Sequence, residues 1–159
     1  MEKPLTLPDY HALAELRHQI RRFLHFSEAA ARAAGLEPRQ HQLMLALKGL
    51  PKGVRPRIGE LAECLQIQHH STVELVNRLA AGGYVRRHRA GRDRREVLLA
   101  LTPKGEKVLQ ELSLHHKAEL RMQGPALVAA LNLKRAMRTT KSPDRAAAKA
   151  APRRSRRTE

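Results

Sequence analysis

Arg86, Arg87, Arg89, Arg92, Arg94 and Arg95 fall within ten residues of one another, with Asp93 and Glu96 the acids among and beside them. A guanidinium never loses its charge at physiological pH. It presents its N–H donors in a planar fork that matches phosphate oxygens, so this density of arginine is chemistry for a polyanion. The stretch Tyr84 to Thr102 reads as two short strands around a charged tip. Its second arm, Val97-Leu98-Leu99-Ala100-Leu101, is apolar enough to lie on a core. A charged tip between anchored arms must project. A solvated hairpin with no partner is the plainer alternative, and the elements that precede it argue against that.

Bulk properties point the same way. The 159-residue chain carries a formal net charge of +16 and a sequence pI near 11.3, which favours nucleic acid or an anionic membrane surface as partner. No apolar run reaches 18 residues, so no membrane span is expected. The opening MEKPLTLPDY lacks the apolar core of a signal peptide. Cys64 is the single cysteine, which rules out an intrachain disulfide and suits a reducing, cytoplasmic, nucleoid-associated setting. Two Tyr, two Phe and no Trp leave few platforms for stacking unpaired bases. Duplex DNA, held through its phosphates, fits better.

The positioning elements follow from apolar spacing and from Pro and Gly punctuation. Pro8 and Asp9 open a long helix whose stripe runs Tyr10, Leu13, Leu16, Ile20, Phe23, Leu24, Ser27 and which stops at Gly35. Such a helix needs something to pack on, and a partner subunit is a good candidate. Pro38 begins a second helix with Leu43, Leu45 and Leu47 inside, ended by Gly49. A strand of two or three residues fits around Arg55 to Ile58. Ile58 to Leu65 is a two-turn helix, Ile67-Gln68 a turn, Ser71 to Ala81 a further helix, and Gly82-Gly83 its end. Thr102-Pro103 caps the next helix, Gly124-Pro125 breaks it, and Ala126 to Met137 is a last short one. Residues 138–159 carry eight Lys or Arg against two acids, a net of +6 that leaves +10 of the total on the remainder. From Thr139 onward no apolar residue exceeds Ala, which predicts a disordered basic tail.

A short helix, a tight turn, a second helix, Gly-Gly and a charged hairpin form a helix-turn-helix with a wing. Six blocks, in order, resemble the MarR (multiple-antibiotic-resistance regulator) family of winged-helix transcription factors: Gly35-Leu36-Glu37-Pro38-Arg39-Gln40, Ile58 to Leu65, Ser71 to Leu79, Gly83-Tyr84-Val85-Arg86-Arg87, Asp93-Arg94-Arg95 and Leu101-Thr102-Pro103-Lys104-Gly105. The likeness covers about residues 9 to 122. It implies a mainly α fold with a small β wing and an α-helical dimerisation lobe. The expected division is 1–35 for a first dimerisation helix, 36–102 for the DNA-binding lobe, 103–138 for C-terminal dimerisation helices and 139–159 for the tail.

The resemblance also implies roles. Asp93 and Arg95 match the wing-tip pair, in which the arginine enters the minor groove and the aspartate orients it. Arg92 and Arg94 would touch nearby phosphates, with Arg87 and Arg89 further down the wing. Ser71, Thr72, Val73 and Glu74 fall where the recognition helix presents side chains to bases, His69 and His70 stand at its start, and Arg78 would serve the helix–wing junction. Val73 occupies a position often held by Thr, so contact with a thymine methyl replaces a hydrogen bond. Asn77 stands where Asp is usual, which puts an ion pair in doubt. His18, His25 and His41 lie on helices that line the family's effector cleft.

Plainer readings apply to several other residues. Cys64 on the apolar side of a short helix reads as core rather than as a redox sensor. Cys64 with His69 and His70 falls short of the four ligands of a closed zinc site, so no metal and no cofactor is expected. His115-His116 reads as exposed helix surface. No enzyme signature is present. The resemblance therefore implies a dimeric, sequence-specific regulator of double-stranded DNA, a repressor relieved by a small-molecule effector and bound to a pseudo-palindromic operator. The alternative is an architectural nucleic-acid-binding protein without sequence choice.

Overall fold

A computed structural model describes residues 4–90 and 93–131, with side chains described for all of these except Ala90 and residues 93–95. The order is α1 (Leu7–Ala33), α2 (Pro38–Lys48), α3 (Ile58–Leu65), α4 (His69–Ala81), β1 (Val85–Ala90), β2 (Asp93–Leu101) and α5 (Pro103–Leu131).

Local chemistry sets most boundaries. Asp9 accepts a 2.7 Å bond from the Thr6 amide and another from the Thr6 hydroxyl, fixing the entry to α1. At its far end Gly35 takes φ +76°, and the Leu36 amide reaches back to the Ala31 carbonyl at 3.0 Å, so the orphan carbonyls are satisfied. Pro38 occupies the first turn of α2, where a missing amide costs nothing. The α3–α4 turn runs through Gln66 at φ 52°, the one non-glycine residue with positive φ among the described residues.

The core lies where the second helix, the helix-turn-helix and the wing base meet. Leu43, Met44 and Leu47 of α2 pack with Leu61 of α3, Leu75, Val76 and Leu79 of α4, Val85 and Leu99 of the hairpin, and Leu109 and Leu112 of α5. The 3.6-residue period of α2 selects Met44, and Leu45 is exposed, so the expectation that Leu45 points inward is corrected. The antiparallel pair β1–β2 runs in register from Val85 opposite Leu101 to Arg89 opposite Val97, then shifts at Ala90. Around Arg55 to Ile58 the expected strand is not formed. A backbone bond from the Leu99 amide to the Pro56 carbonyl, 2.9 Å, ties that loop to β2.

Two other expectations are corrected. Helix α4 begins at His69, two residues before Ser71, with Gln68 as its N-cap. Helix α5 is continuous through Pro125 to Leu131. Pro125 removes one helical bond, yet Gly124 before it has no Cβ to clash with the proline ring, and residues on both sides of it face α1. His116 Nε2 bonds Ser27 Oγ at 2.8 Å, and Ala126, Ala129 and Ala130 border one depression with Pro8 and Ala12. Tertiary packing thus carries the helix past its weak point. Residues 132–137, expected in a last helix, and the tail lie outside the described residues.

Thr102 joins wing to helix. Its amide bonds the Tyr84 carbonyl at 3.0 Å, its hydroxyl donates to the Gly83 carbonyl at 2.6 Å and accepts from the Gly105 amide at 3.1 Å. No described helix is long and apolar enough to cross a membrane.

Candidate nucleic-acid interface

Helix α4 turns Thr72, Leu75, Val76 and Leu79 inward and His69, His70, Glu74, Asn77 and Arg78 outward, with Ser71 and Val73 half-buried. The Thr72 hydroxyl is buried and bonds the Gln68 carbonyl at 3.2 Å. The expectation that Thr72 reads bases is therefore corrected. The side chain braces the first turn of the helix, because position 72 falls on the 72/75/76/79 stripe. Five expected positions, His69, His70, Ser71, Val73 and Glu74, remain on the accessible or half-accessible surface.

The wing stands beside this surface. Arg86, Arg87 and Arg89 are exposed on β1. Arg87 Nη2 donates to Asn77 Oδ1 at 2.6 Å, so Asn77 keeps a link from recognition helix to wing as a neutral-acceptor hydrogen bond. Arg78, expected at that junction, instead reaches the carboxylate of Glu37 at the start of α2, at 3.0 and 3.2 Å. It follows Asn77 by one residue and so lies about 100° round the helix. Arg92 and the side chains of Asp93, Arg94 and Arg95 lie outside the described residues.

At the wing base, Glu96 sits between two arginines. Arg55 Nη1 pairs with Oε2, and Arg57 Nη2 lies 2.5 Å from Oε1. The hydrogen bond from Arg55 holds the Glu96 carboxyl below the usual carboxylate range, with the charges of both arginines adding to it against the cost of desolvation. Sequence reading had not singled out Arg55 or Arg57. Their spacing on either side of Pro56 and their opposite number on β2 become visible only when the loop is docked.

A second site lies between α1, α2 and α5. It is a cavity of about 590 Å³ whose walls include Phe23, Leu24, Leu45 and Leu120, with His41 and His116 inside and Lys117 and Arg121 also lining it. The His41 and His116 rings stack with centroids 4.9 Å apart and planes 9° apart, and Phe23 and Phe26 meet His116 edge-on. Burial first, and the charge of His116 second, lower the pKa of His41 from 6.5 to about 4. His41 lines this cavity. His18 and His25 are corrected, since both are exposed on α1 and neither lines the cavity. His116 is corrected in the opposite direction. It is buried, bonded to the Leu112 carbonyl at 2.6 Å and to Ser27. The signal was its place on the Leu109, Leu112, His116 face. Cys64, expected in the core, is exposed and borders a shallow groove with Leu45, Leu50 and Leu65. Among the described residues no three His, Cys, Asp or Glu side chains converge on a metal position.

Comparison with known proteins adds a likeness to one family over part of the chain, and a fold. The model of the MarR family matches residues 34–96, from the residue after α1 to Glu96 in β2, which covers the helix-turn-helix and the first part of the wing. AbsC, a MarR family transcriptional regulator from Streptomyces coelicolor, has a similar structure with TM-score 0.66 and 23% identity, over 88% of this chain and 94% of its own. The transcriptional regulator Tm0710 from Thermotoga maritima is 26% identical over 78% of this chain and 92% of its own, with TM-score 0.54. CouR from Rhodococcus jostii RHA1, solved bound to p-coumaroyl-CoA, has TM-score 0.57 and 23% identity over 66% of this chain and 72% of its own. No curated protein matches the sequence.

Proposed function

We propose, from the match of residues 34–96 to the MarR family model and from the winged helix-turn-helix fold, that the protein is a sequence-specific regulator of transcription that binds duplex DNA as a homodimer. The observation that carries this reading is the bond from Arg87 to Asn77, which ties the wing to the outward side of α4 with His69, His70, Glu74 and the half-buried Ser71 and Val73. Arg86 and Arg89 are exposed beside Arg87 on β1. The two α4 helices of a dimer would enter successive major grooves about 34 Å apart on one face of the duplex. Arg95, oriented by Asp93, would enter the minor groove, and Arg92 and Arg94 would meet phosphates. The operator is then a pseudo-palindrome of roughly two turns, and the protein works in the cytoplasm on the nucleoid. Nothing favours the architectural alternative over this reading.

We infer further that the protein is a repressor relieved by a small molecule in the cleft between α1, α2 and α5. Support comes from the size and apolar walls of that cavity, which suit a small organic ligand, and from the acyl-CoA seen with CouR. A ligand there would favour one spacing of the two recognition helices over another, and only one spacing fits the operator.

The test is selection of a duplex from a random-sequence pool by the wild-type chain, followed by competition with excess random duplex. A regulator keeps its selected site under competition. Arg95→Ala should weaken binding to that site by about 1–3 kcal/mol. Failure to enrich any sequence would overturn the reading.

A further inference from the structure

The loop before α3, the first residue of α4 and the base of β2 converge on a depression of about 470 Å³, bordered by Arg55, Arg57, Gly59, His69, Glu96 and Val97. Glu96 holds both arginines, one on each carboxylate oxygen. It is itself almost enclosed, its side chain 10% exposed, whereas those of Arg55 and Arg57 are 57% and 50% exposed. Between the arginines, the Pro56 carbonyl is fixed to the Leu99 amide of β2 at 2.9 Å. Both guanidinium stems therefore leave an anchored backbone and end on an anchored carboxylate.

The charges do not balance. Two guanidinium groups share one carboxylate, and among the described residues no other carboxylate pairs with either. Counted over the described side chains, one positive charge remains, on forks that each have donors left to offer. A buried pair that merely held the fold would need only one cation. The surplus sits between the start of the recognition helix and the root of the wing, the two elements placed against DNA above. A Cβ built on Gly59, which borders the depression, meets nothing within 4 Å, so space is free beside that residue.

We propose that Arg55 and Arg57, splayed on Glu96, form with His69 a preset socket for one backbone phosphate of duplex DNA. The inference rests on the DNA-binding reading and adds to it a contact outside the recognition helix and wing tip. Glu96 is a positioning residue. Long, flexible side chains lose rotamer freedom on binding, and the shared carboxylate has already removed much of that freedom before DNA arrives. The socket fixes the position of the lobe on the duplex and reads no base.

This arrangement makes a prediction opposite in sign to charge counting. Glu96→Gln deletes a negative charge beside a polyanion, so simple electrostatics predicts tighter binding. Loss of the clamp predicts weaker binding, by about tenfold on a random-sequence 30-base-pair duplex and on a selected duplex alike. Arg57→Ala should lower the slope of log affinity against log salt by about one on both duplexes. Thermal melts report whether each variant folds. Should Glu96→Gln fail to fold, Arg57→Ala and Arg55→Ala decide alone through their salt slopes. An unchanged slope in both arginine variants, or tighter binding by folded Glu96→Gln, would overturn the socket while leaving the DNA reading in place. A wild-type chain that binds neither duplex at low salt would sink the DNA reading itself.

Discussion

His41 is a basic side chain in a place that accepts only its neutral form. It is 3% exposed, stacked on His116 and packed near Phe23, and its pKa falls from 6.5 to about 4 because burial and the neighbouring imidazole disfavour a second charge. A histidine whose folded-state pKa lies below its unfolded value contributes fully above the unfolded value. That contribution is lost as pH falls from about 6.5 to about 4, because the unfolded chain binds the proton first. The urea midpoint of the wild-type chain should therefore drop across that window more steeply than that of His41→Leu, which has no proton to bind. Equal acid slopes for the two would contradict the burial of this ring. At this scale the sequence was readable where side-chain type and helical position agreed. His69, Glu74 and Asn77 are polar and outward, as their spacing required. It misled where they disagreed: Thr72 and His116 look polar but occupy positions on the inward stripes of α4 and α5, and position prevails because each finds a carbonyl four residues back, Gln68 and Leu112. His18 and His25 failed for the converse reason, since lying on the right helix does not place a residue on its right face.

Two glycines in helices show how the elements are joined. A Cβ on Gly105 would lie 2.1 Å from the Tyr84 carbonyl oxygen and 3.0 Å from its carbon, so the first turn of α5 packs directly on the backbone between α4 and β1. Backbone atoms cannot step aside as a side-chain tip can. Gly105→Ala should cost about 1–3 kcal/mol in chemical denaturation and disturb the wing, which hangs from the same Thr102 bonds. Gly59→Ala in α3 meets open space and should leave stability unchanged or raise it by up to about 1 kcal/mol through helix propensity. If the two substitutions shifted the midpoint alike, the close approach of α5 to Tyr84 would be wrong. Most elements were legible because Pro, Gly and cap residues mark their ends: Pro38 and Gly49 bound α2, Gly82-Gly83 ends α4, and Thr102-Pro103 starts α5. Pro125 was misleading because its local cost is outweighed by α1 packing on both sides, a nonlocal term that no window of sequence contains. The Arg55–Glu96–Arg57 group was invisible for the same reason, since it joins residues about forty positions apart.

For the whole molecule the open questions are charge and partnership. Residues 138–159 carry +6 of the +16 charges. Truncation after Met137 should leave the selected sequence unchanged and flatten the salt slope by several phosphate equivalents; loss of the preferred site would mean that the tail takes part in recognition. Partnership follows from what α1 and α5 leave uncovered. Leu7, Tyr10 and Leu13 on one helix are 66%, 57% and 42% exposed, and Val128 and Leu131 on the other 57% and 58%. The two helices run antiparallel, so the start of α1 and the end of α5 lie together. Apolar side chains left exposed in this way suit the seam of the proposed dimer, and the proposed operator geometry needs a twofold mate. Leu13→Glu combined with Val128→Glu places two charges on that surface, where neither has a partner across a dimer seam. The double variant should sediment near 17.9 kDa rather than twice that, with its helical circular dichroism kept because neither residue belongs to the core. Its affinity for a selected duplex should fall far more than its affinity for random duplex, since two lobes held about 34 Å apart no longer bind as one unit. A double variant that stays dimeric places the seam elsewhere, and a monomer that keeps full affinity for the selected site would remove the reason for a twofold operator.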